Sequence, residues 1–530
     1  MKTQNPWWPL ALMTLYVLAA FSLGLGNVPL FDVDEGAFSE ATREMIHSGI
    51  WSATYLDGMP RYDKPILTYW FQAANVLLFG LNETTLRLHS ALSAIGWAAS
   101  IYYFSKEFIN RRSAMVAVLI FSSTLWIMLI GRAATADALL NLFIALSFFD
   151  LYRYQSSGKK TLLYRTWLWL SLGMLTKGPV AAAIPFVASL IWFISYGRLR
   201  DWLKAVLNPT GWLILAVVLV PWLILVWHQQ GMGFFKGFLI GHNLNRLTST
   251  MEGHGGHWYY YLLVLPLIML PYTGALLTLL RHGRSLWKRP LERLLMIWFA
   301  VVMVLFSLSQ TQLPHYILYG VTPLIVLMAK YRQVIIRRWQ LLLPILFFAL
   351  QIGLVLYAPH LGSSQRNAYQ QQMLSQAPEV LNQGYLLMAV LLAGLTALLF
   401  WPPSVLRRLA PWQRLTTAGL LQTLFASQLL LPAIGHLQQT PVKQAALQAR
   451  QLQTSTVVAY KIHMPSFSLY RGAPTPAGDP QAGDVVLTKA DHLPELLERF
   501  PAAKADILYH QGGIVLARIP ASPATLSQRQ

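Results

Sequence analysis

Apolar runs of about twenty residues recur along this chain from Trp7 to about Pro432, and they limit the folds open to it. Each run is long enough to cross a hydrocarbon core of about 30 Å as a helix. Inside a bilayer only helices and closed barrels satisfy every backbone hydrogen-bonding group. Barrel strands would alternate apolar and polar residues, whereas these runs are apolar on every face. The pattern predicts an all-α polytopic membrane protein.

Composition and charge fit a membrane protein and exclude a soluble domain or a nucleic-acid-binding protein. Over 530 residues the chain is 55% hydrophobic and only 12% charged, which is too apolar for a soluble domain of this size. It has no cysteine, so disulfides and thiol chemistry are absent. The net charge of +20 would suit a nucleic-acid partner, but the basic residues cluster in short connections after every second span. We therefore expect membrane lipids, and no nucleic acid, as partners.

The apolar segment Ile66–Leu81 decides the topology. It could pass for a span, but a crossing there would put the later basic connections outside the cell. We therefore predict a juxtamembrane helix at the outer interface, with its aromatic residues at the headgroup level. About thirteen spans remain, with the N-terminus inside and the C-terminus outside. The predicted spans are 8–26, 85–104, 114–130, 137–152, 163–180, 181–196, 211–228, 259–280, 292–309, 315–329, 340–357, 384–401 and 415–434.

The end of the chain differs in kind from the rest. Short β-branched stretches at 454–458, 483–487 and 513–518 predict strands, and 493–500 predicts a helix. We therefore divide the chain into a transmembrane domain, a small outer α/β domain and a disordered tail. The predicted bounds are 1–436, with the first outer loop and juxtamembrane helices at 27–84, then 437–520 and 521–530.

The strongest indication of a functional site is a group of acidic residues. Asp32, Asp34 and Glu35 follow the first span directly, in a basic protein, at the outer interface where a carboxylate is partly desolvated. An alternative is that Asp34 and Glu35 only cap a following helix that ends near His47. Asp34 and Glu35 are the candidate catalytic residues.

A basic motif follows in the same outer loop. Arg61, Tyr62, Asp63 and Lys64 precede the juxtamembrane helix. A lysine at the interface can serve as a snorkelling anchor, but Lys64 with Arg61 could also bind a lipid phosphate. The proximity of the Asp34 loop favours phosphate binding.

Ionisable residues also stand at the outer ends of later spans. Asp137 begins the fourth predicted span, with Arg132 as one candidate partner, and Lys177 ends the fifth. His315 and Tyr316 begin the tenth span and can reach the same cavity. These residues predict one polar cavity at the outer face.

The loop before the eighth span offers His242 and Arg246. His242 and Asp63 facing one cavity could hold a divalent metal, but no HExxH-type motif supports it. No cofactor is required by the pattern, and a divalent metal stays open. Because no nucleotide-binding fingerprint or Gly-rich phosphate loop is present either, a lipid-linked donor fits better than a nucleotide sugar.

At these residues the chain resembles the bacterial lipid A aminoarabinose transferases. More broadly it resembles the polyprenyl-phosphate-dependent glycosyltransferases of the GT-C fold, which include protein O-mannosyltransferases. The resemblance covers nearly the whole chain and rests on the order and sidedness of five short motifs and on the small outer domain. The motifs are Asp34-Glu35-Gly36, Tyr62-Asp63-Lys64-Pro65, Asp137, Leu175-Thr176-Lys177-Gly178 and Ser309 through Tyr316.

The resemblance implies roles for these residues. Asp34 would be the catalytic or acceptor-orienting carboxylate, and Lys64 would bind the carrier phosphate. Asp137, Lys177, Arg246 and Tyr316 would be supporting groups. The chain has Ala37-Phe38, Asp63 and His315 where aminoarabinose members commonly have Arg-Tyr, Glu and Pro, so the resemblance leaves the sugar and the acceptor open.

The expected function is inverting transfer of a sugar, for example 4-amino-4-deoxy-L-arabinose, from undecaprenyl phosphate to a periplasmic acceptor such as lipid A. The resemblance implies a bacterial inner-membrane protein with its active site and C-terminus in the periplasm. Two alternatives remain open. One is transfer to protein or another envelope glycan; the other is a lipid or oligosaccharide transporter, although the chain lacks the repeats typical of that class.

Overall fold

The computed structural model describes residues 7–245, 249, 255–452 and 456–520. The segment predicted as the first outer loop, 27–84, folds into helices and one small hairpin. Polar helix α2 and apolar helix α3 lie between the first two predicted spans, and α3 confirms a helix within 66–81. The elements here are α1 (Trp8–Ser22), α2 (Asp34–Ser48), β1 (Thr54–Leu56), β2 (Met59–Arg61) and α3 (Leu67–Phe79).

Long apolar helices form the body of the protein. Among the described residues, five helices are long and apolar enough to cross a membrane: Pro209–Leu244, Pro290–Ser307, Arg338–Leu361, Gln383–Phe400 and Pro411–Gln438. Shorter helices cover the other predicted spans, so the polytopic all-α class is confirmed, while the count of about thirteen stays a prediction. The helices of the first half are α4 (Glu83–Phe108), α5 (Arg111–Ser122), α6 (Leu125–Ile130), α7 (Asp137–Ser157), α8 (Lys160–Lys177), α9 (Val180–Ile194), α10 (Leu199–Val206) and α11 (Pro209–Phe235), which continues as a π-helix over Lys236–Leu244.

Two predicted spans are broken, which corrects the sequence analysis. The span 114–130 divides into α5 and α6 at Ser123 and Thr124, whose hydroxyls donate to carbonyls one turn earlier. The span 259–280 divides at Pro271, which lacks a backbone N–H and cannot continue a helix. The second half contains α12 (Tyr260–Ile268), α13 (Thr273–Arg281), α14 (Gly283–Leu286), α15 (Pro290–Ser307), a 3-10 turn (Pro314–Gly320), α16 (Val321–Ile335), α17 (Leu342–Leu361), α18 (Ala368–Ser375), α19 (Ala377–Val380), α20 (Gln383–Phe400), α21 (Pro411–Phe425) and α22 (Leu431–Gln438).

The end of the chain forms a four-stranded sheet with short helices. Strands are in the order β3-β4-β6-β5, with β3 parallel to β4 and the other two pairs antiparallel. The sequence predicted three of these strands and missed β5, whose side chains are more polar and partly exposed. The elements are α23 (Thr440–Gln451), β3 (Val457–Ala459), α24 (Pro465–Arg471), β4 (Val485–Lys489), α25 (Leu493–Arg499), β5 (Ile507–Gln511) and β6 (Ile514–Arg518).

This segment packs against the first outer loop through α24 and α2. Asp32 accepts hydrogen bonds from the backbone N–H and the hydroxyl of Ser466 at the start of α24. Asp57, beyond α2, accepts from Ser468 and from the Thr475 backbone. The acidic loop and the C-terminal segment are therefore held together by carboxylate contacts.

Candidate active site

A cavity of about 310 Å³ lies under the acidic loop, and we call it the carboxylate cavity. Asp34 projects into it from the first residue of α2 and is exposed. Among the described residues the Asp34 carboxylate makes no hydrogen bond or ion pair, so it can receive one from a bound molecule. Apolar side chains of Leu129, Leu431 and Ile434 also line it. The cavity thus combines a free carboxylate with apolar wall.

Glu35 occupies a different environment from its neighbour Asp34. Its carboxylate is buried and accepts four hydrogen bonds, two from the Arg87 guanidinium at 2.6 and 2.8 Å and one each from the backbone N–H groups of Phe31 and Ala134. Burial alone would raise the pKa of Glu35, but the charge and hydrogen bonds of Arg87 outweigh it and lower the pKa. All four bonds are made within the protein, which gives Glu35 the contacts of a structural anchor. Because Glu35 also lines the carboxylate cavity, the catalytic role expected from the sequence stays a prediction.

A second cavity of about 290 Å³, which we call the lysine cavity, contains the basic residues expected from the sequence. Lys64 and Lys177 line it together with Asp63, His242 and Tyr316. Lys64 Nζ donates to the Asp63 backbone carbonyl at 3.1 Å. Phe238, Leu239 and Leu305 supply apolar wall. Two ammonium groups beside apolar wall suit the phosphate and hydrocarbon of a lipid phosphate.

Asp137 and His315 lie between the two cavities. The Asp137 carboxylate accepts from Lys177 Nζ at 2.6 Å and from the Tyr319 hydroxyl at 2.7 Å. His315 Nε2 lies 3.8 Å from Asp137 and lines the carboxylate cavity. Its imidazole is also within electrostatic range of both Asp34 and Lys64. One cluster therefore connects the acidic and basic parts of the site.

The partner expected for Asp137 is corrected. Arg132 does not pair with it: its guanidinium donates to the carbonyls of Ala20 and Leu23 at 3.0 and 2.6 Å, in the wall of the carboxylate cavity. Lys177 takes that place, because the helix ends at 137 and 177 meet across the packed pair α7 and α8. The sequence reasoning missed Tyr319, although its spacing of three from Tyr316 places both on one side of a 3-10 turn.

Two residues of the basic motif face away from both cavities. Tyr62 packs edge to face on Phe234, with Gly233 and Gly237 leaving room for its ring. Arg61 is buried under the loop, where it pairs with Asp63 at 3.2 Å and stacks over Phe38. Neither side chain is among those that line the two cavities. The prediction for Arg246 lies outside the described residues.

Asp63 and His242 form a direct contact of 2.7 Å between Oδ1 and Nε2. Burial would raise the pKa of Asp63, but the His242 hydrogen bond and the charges of Arg61 and Lys64 outweigh it and hold the pKa well below its usual range. The two side chains supply only two metal-ligating groups, and the described residues near them contain no third. The structure therefore shows a hydrogen-bonded carboxylate and imidazole here, and metal binding by this pair stays a prediction.

The sequence has matches to a known family. Residues 63–227 match the model of the dolichyl-phosphate-mannose-protein mannosyltransferase family. An undecaprenyl phosphate-alpha-4-amino-4-deoxy-L-arabinose arabinosyl transferase from Shewanella sediminis is 27% identical over 326 residues, covering 60% of this chain and 59% of the relative. An uncharacterized protein from Aquifex aeolicus is 30% identical, covering 61% of this chain and 73% of the relative. The matches span just under 60% of the named transferase's length.

Solved structures match over almost the whole chain. ArnT from Cupriavidus metallidurans bound to undecaprenyl phosphate superposes with a TM-score of 0.80 at 19% identity, covering 98% of this chain and all of that one. An oligosaccharyltransferase from Archaeoglobus fulgidus gives a TM-score of 0.53 at 11% identity, covering 93% and 71%. By fold and sequence together, the chain belongs to the family of GT-C-fold membrane glycosyltransferases that resemble ArnT and the protein mannosyltransferases.

Proposed function

We propose that this protein transfers a sugar from undecaprenyl phosphate to an acceptor at the outer face of the bacterial inner membrane. The observation that carries the proposal is the pair of cavities, one with Lys64 and Lys177 and one with Asp34, joined at Asp137 and His315. A group held between them has cations on one side and a carboxylate on the other. That arrangement suits an acceptor oxygen attacking a sugar whose leaving group is a phosphate.

In the proposed reaction the acceptor oxygen attacks the anomeric carbon as the bond from that carbon to the lipid phosphate breaks. The carbon inverts, and the electron pair of the broken bond stays on the phosphate. Asp34 takes the proton of an acceptor hydroxyl, which is worth roughly 10² to 10⁴ in rate, or orients an acceptor that is already a phosphate. Lys64 stabilises the charge that grows on the leaving phosphate in a partly dry site, while Lys177, held by Asp137, lines the same cavity.

The sugar proposed is 4-amino-4-deoxy-L-arabinose, which the name of the Shewanella relative carries. The acceptor proposed is a phosphorylated lipid such as lipid A. Arg132 supports a negative acceptor, because it is 6% exposed, lines the carboxylate cavity, and pairs with no carboxylate among the described residues. Transfer to protein or another glycan is the alternative acceptor class. We also propose a cytoplasmic N-terminus, a periplasmic C-terminus, and a separate outer domain over 437–520.

The test replaces Asp34 with Asn and Lys64 with Ala and measures transfer from an undecaprenyl-phosphate sugar in detergent. We expect Asp34→Asn to lower kcat by about 10² to 10⁴ with little change in donor KM. Lys64→Ala should lower kcat and raise donor KM, because the phosphate is contacted in both ground and transition states.

Matched controls are Glu44→Gln on the same helix as Asp34 and Lys236→Ala on the segment that follows α11. Both side chains lie outside the lining of the two cavities, so both variants should keep wild-type activity. Full activity in Asp34→Asn and Lys64→Ala would contradict the proposal. Movement of the lipid-linked sugar across proteoliposomes without a new glycosidic bond would assign the protein to the transporters instead.

A further inference from the structure

A third cavity, of about 480 Å³, lies at the other end of α16 from the candidate active site. The 15 residues of α16 separate the two ends by about 22 Å, so this cavity is a distinct site. On the predicted topology it faces the cytoplasm. Its lining comes from the end of α4, the start of α5 and the last turn of α16, namely Phe108, Ile109, Asn110, Ser113, Lys330, Tyr331, Arg332, Gln333 and Val334.

Arg332 is the unusual member of this lining. Its side chain is 6% exposed, yet no carboxylate of the described residues pairs with it. One guanidinium nitrogen donates to Ser113 Oγ at 3.0 Å and to the Ala329 carbonyl at 2.6 Å, while its buried Nε has no partner in the described structure. A buried cation without a counterion is costly, so a bound anion would relieve it.

The neighbouring lysine does not share this property. Lys330 Nζ lies 2.6 Å from Glu292, which also accepts from the Tyr331 hydroxyl at 2.8 Å. The positive charge at Lys330 is therefore already neutralised. The uncompensated charge of the cavity belongs to Arg332.

A second guanidinium reinforces that charge. Arg112 and Arg332 both lie over the Trp412 ring, at 5.8 and 5.3 Å from its centroid. The first turn of α5, whose backbone N–H groups carry the positive end of a 12-residue helix, borders the same cavity through Ser113. Guanidinium groups and helix N–H groups are among the donors that bind phosphate in proteins.

We propose that this cavity binds the phosphate of an anionic phospholipid headgroup in the inner leaflet. Val334 lines the cavity and is 50% exposed, so an apolar side chain stands at its rim, where an acyl chain would lie. Basic pockets between spans on the cytoplasmic side are typical sites for anionic lipid headgroups. The proposal concerns lipid binding alone and does not depend on the transfer reaction.

The test uses the full chain purified in detergent and native mass spectrometry with phosphatidylglycerol or phosphatidylcholine added in equal amounts. We expect the wild-type protein to retain phosphatidylglycerol preferentially. Arg332→Gln should reduce that retention at least about tenfold, as expected for the loss of a charge-assisted hydrogen bond. Arg200→Gln, which removes an equal charge from an exposed residue of α10, should leave retention unchanged.

Arg112→Gln provides a second variant, because Arg112 is exposed and its side chain makes no hydrogen bond or ion pair among the described residues. It should also weaken phosphatidylglycerol retention even if Arg332→Gln fails to fold. Equal retention of the two lipids by the wild type would overturn the proposal. Unchanged phosphatidylglycerol retention in Arg112→Gln, and in Arg332→Gln where that variant folds, would also overturn it. Complete displacement of phosphatidylglycerol by millimolar inorganic phosphate would also overturn it, in favour of a free-phosphate site.

Discussion

At the scale of single residues, the candidate site is governed by how each buried charge is compensated. Adjacent carboxylates differ completely: Asp34 projects into a cavity, whereas Glu35 is saturated by Arg87 and two backbone N–H groups. Asp137 is compensated by Lys177 and Tyr319, which stand far from it in sequence. Solvation and pairing, more than residue type, therefore separate the groups available for chemistry from those that hold the structure.

The Asp137–Lys177 pair leads to a stability prediction. Both side chains are buried, with 6% and 10% exposure, so removing only one leaves an uncompensated charge. Lys177→Met should lower the free energy of unfolding by about 3 to 5 kcal/mol, and adding Asp137→Asn should restore most of it. Thermal unfolding in detergent measures both. An unchanged melting temperature in Lys177→Met would show that Asp137 has another counterion.

At the scale of elements, the close packing of α2 against α24 depends on one glycine. A Cβ on Gly36 would lie 2.1 Å from Asp32 Oδ1 and 2.6 Å from the Ser466 backbone nitrogen. Neither the buried carboxylate nor the helix backbone can move without breaking the bonds that join them. The glycine of the Asp-Glu-Gly motif is thus explained by packing of the C-terminal segment on the acidic loop.

Gly36→Ala should therefore separate these two elements. We expect faster proteolytic cleavage within 437–520 and a fall in transfer activity, because the loop that carries Asp34 loses its support. Gly353→Ala is the matched control, since a Cβ there meets nothing within 4 Å and alanine favours a helix. Equal protease resistance in Gly36→Ala and the wild type would refute the packing argument.

At the scale of the whole molecule, Asp32 connects the first outer loop to a residue 434 positions later. Burial raises the pKa of Asp32 to about 7, although the Ser466 hydrogen bonds act against the rise. The docked state thus holds a proton that the free carboxyl, with its ordinary pKa of 3.8, releases. Docking should be most stable at acidic pH and weaken as the pH rises toward and through about 7.

Protease resistance of the C-terminal segment measured from pH 5 to pH 8 checks this prediction. The wild type should lose resistance over that window, whereas Asp32→Asn, which imitates the neutral acid, should lose less. Burial also raises the pKa of Glu40, to about 8. Glu40 therefore lowers protease resistance as the pH rises, and does so equally in the wild type and in Asp32→Asn. The difference between the two profiles therefore reports Asp32, and parallel profiles would exclude it as the titrating group.

The sequence by itself determined the membrane class, the approximate course of the spans and the helical nature of 66–81, because hydropathy and charge are read over neighbouring residues. It also indicated the short motifs that contain Asp34, Lys64, Asp137 and Lys177. Only the tertiary structure separated Asp34 from Glu35, replaced Arg132 by Lys177 as the partner of Asp137, and added Tyr319, 182 residues away. It also turned Tyr62 and Arg61 away from the cavities and broke two spans at Thr124 and Pro271. These outcomes depend on which helix ends meet in space, and that is decided by packing between distant segments.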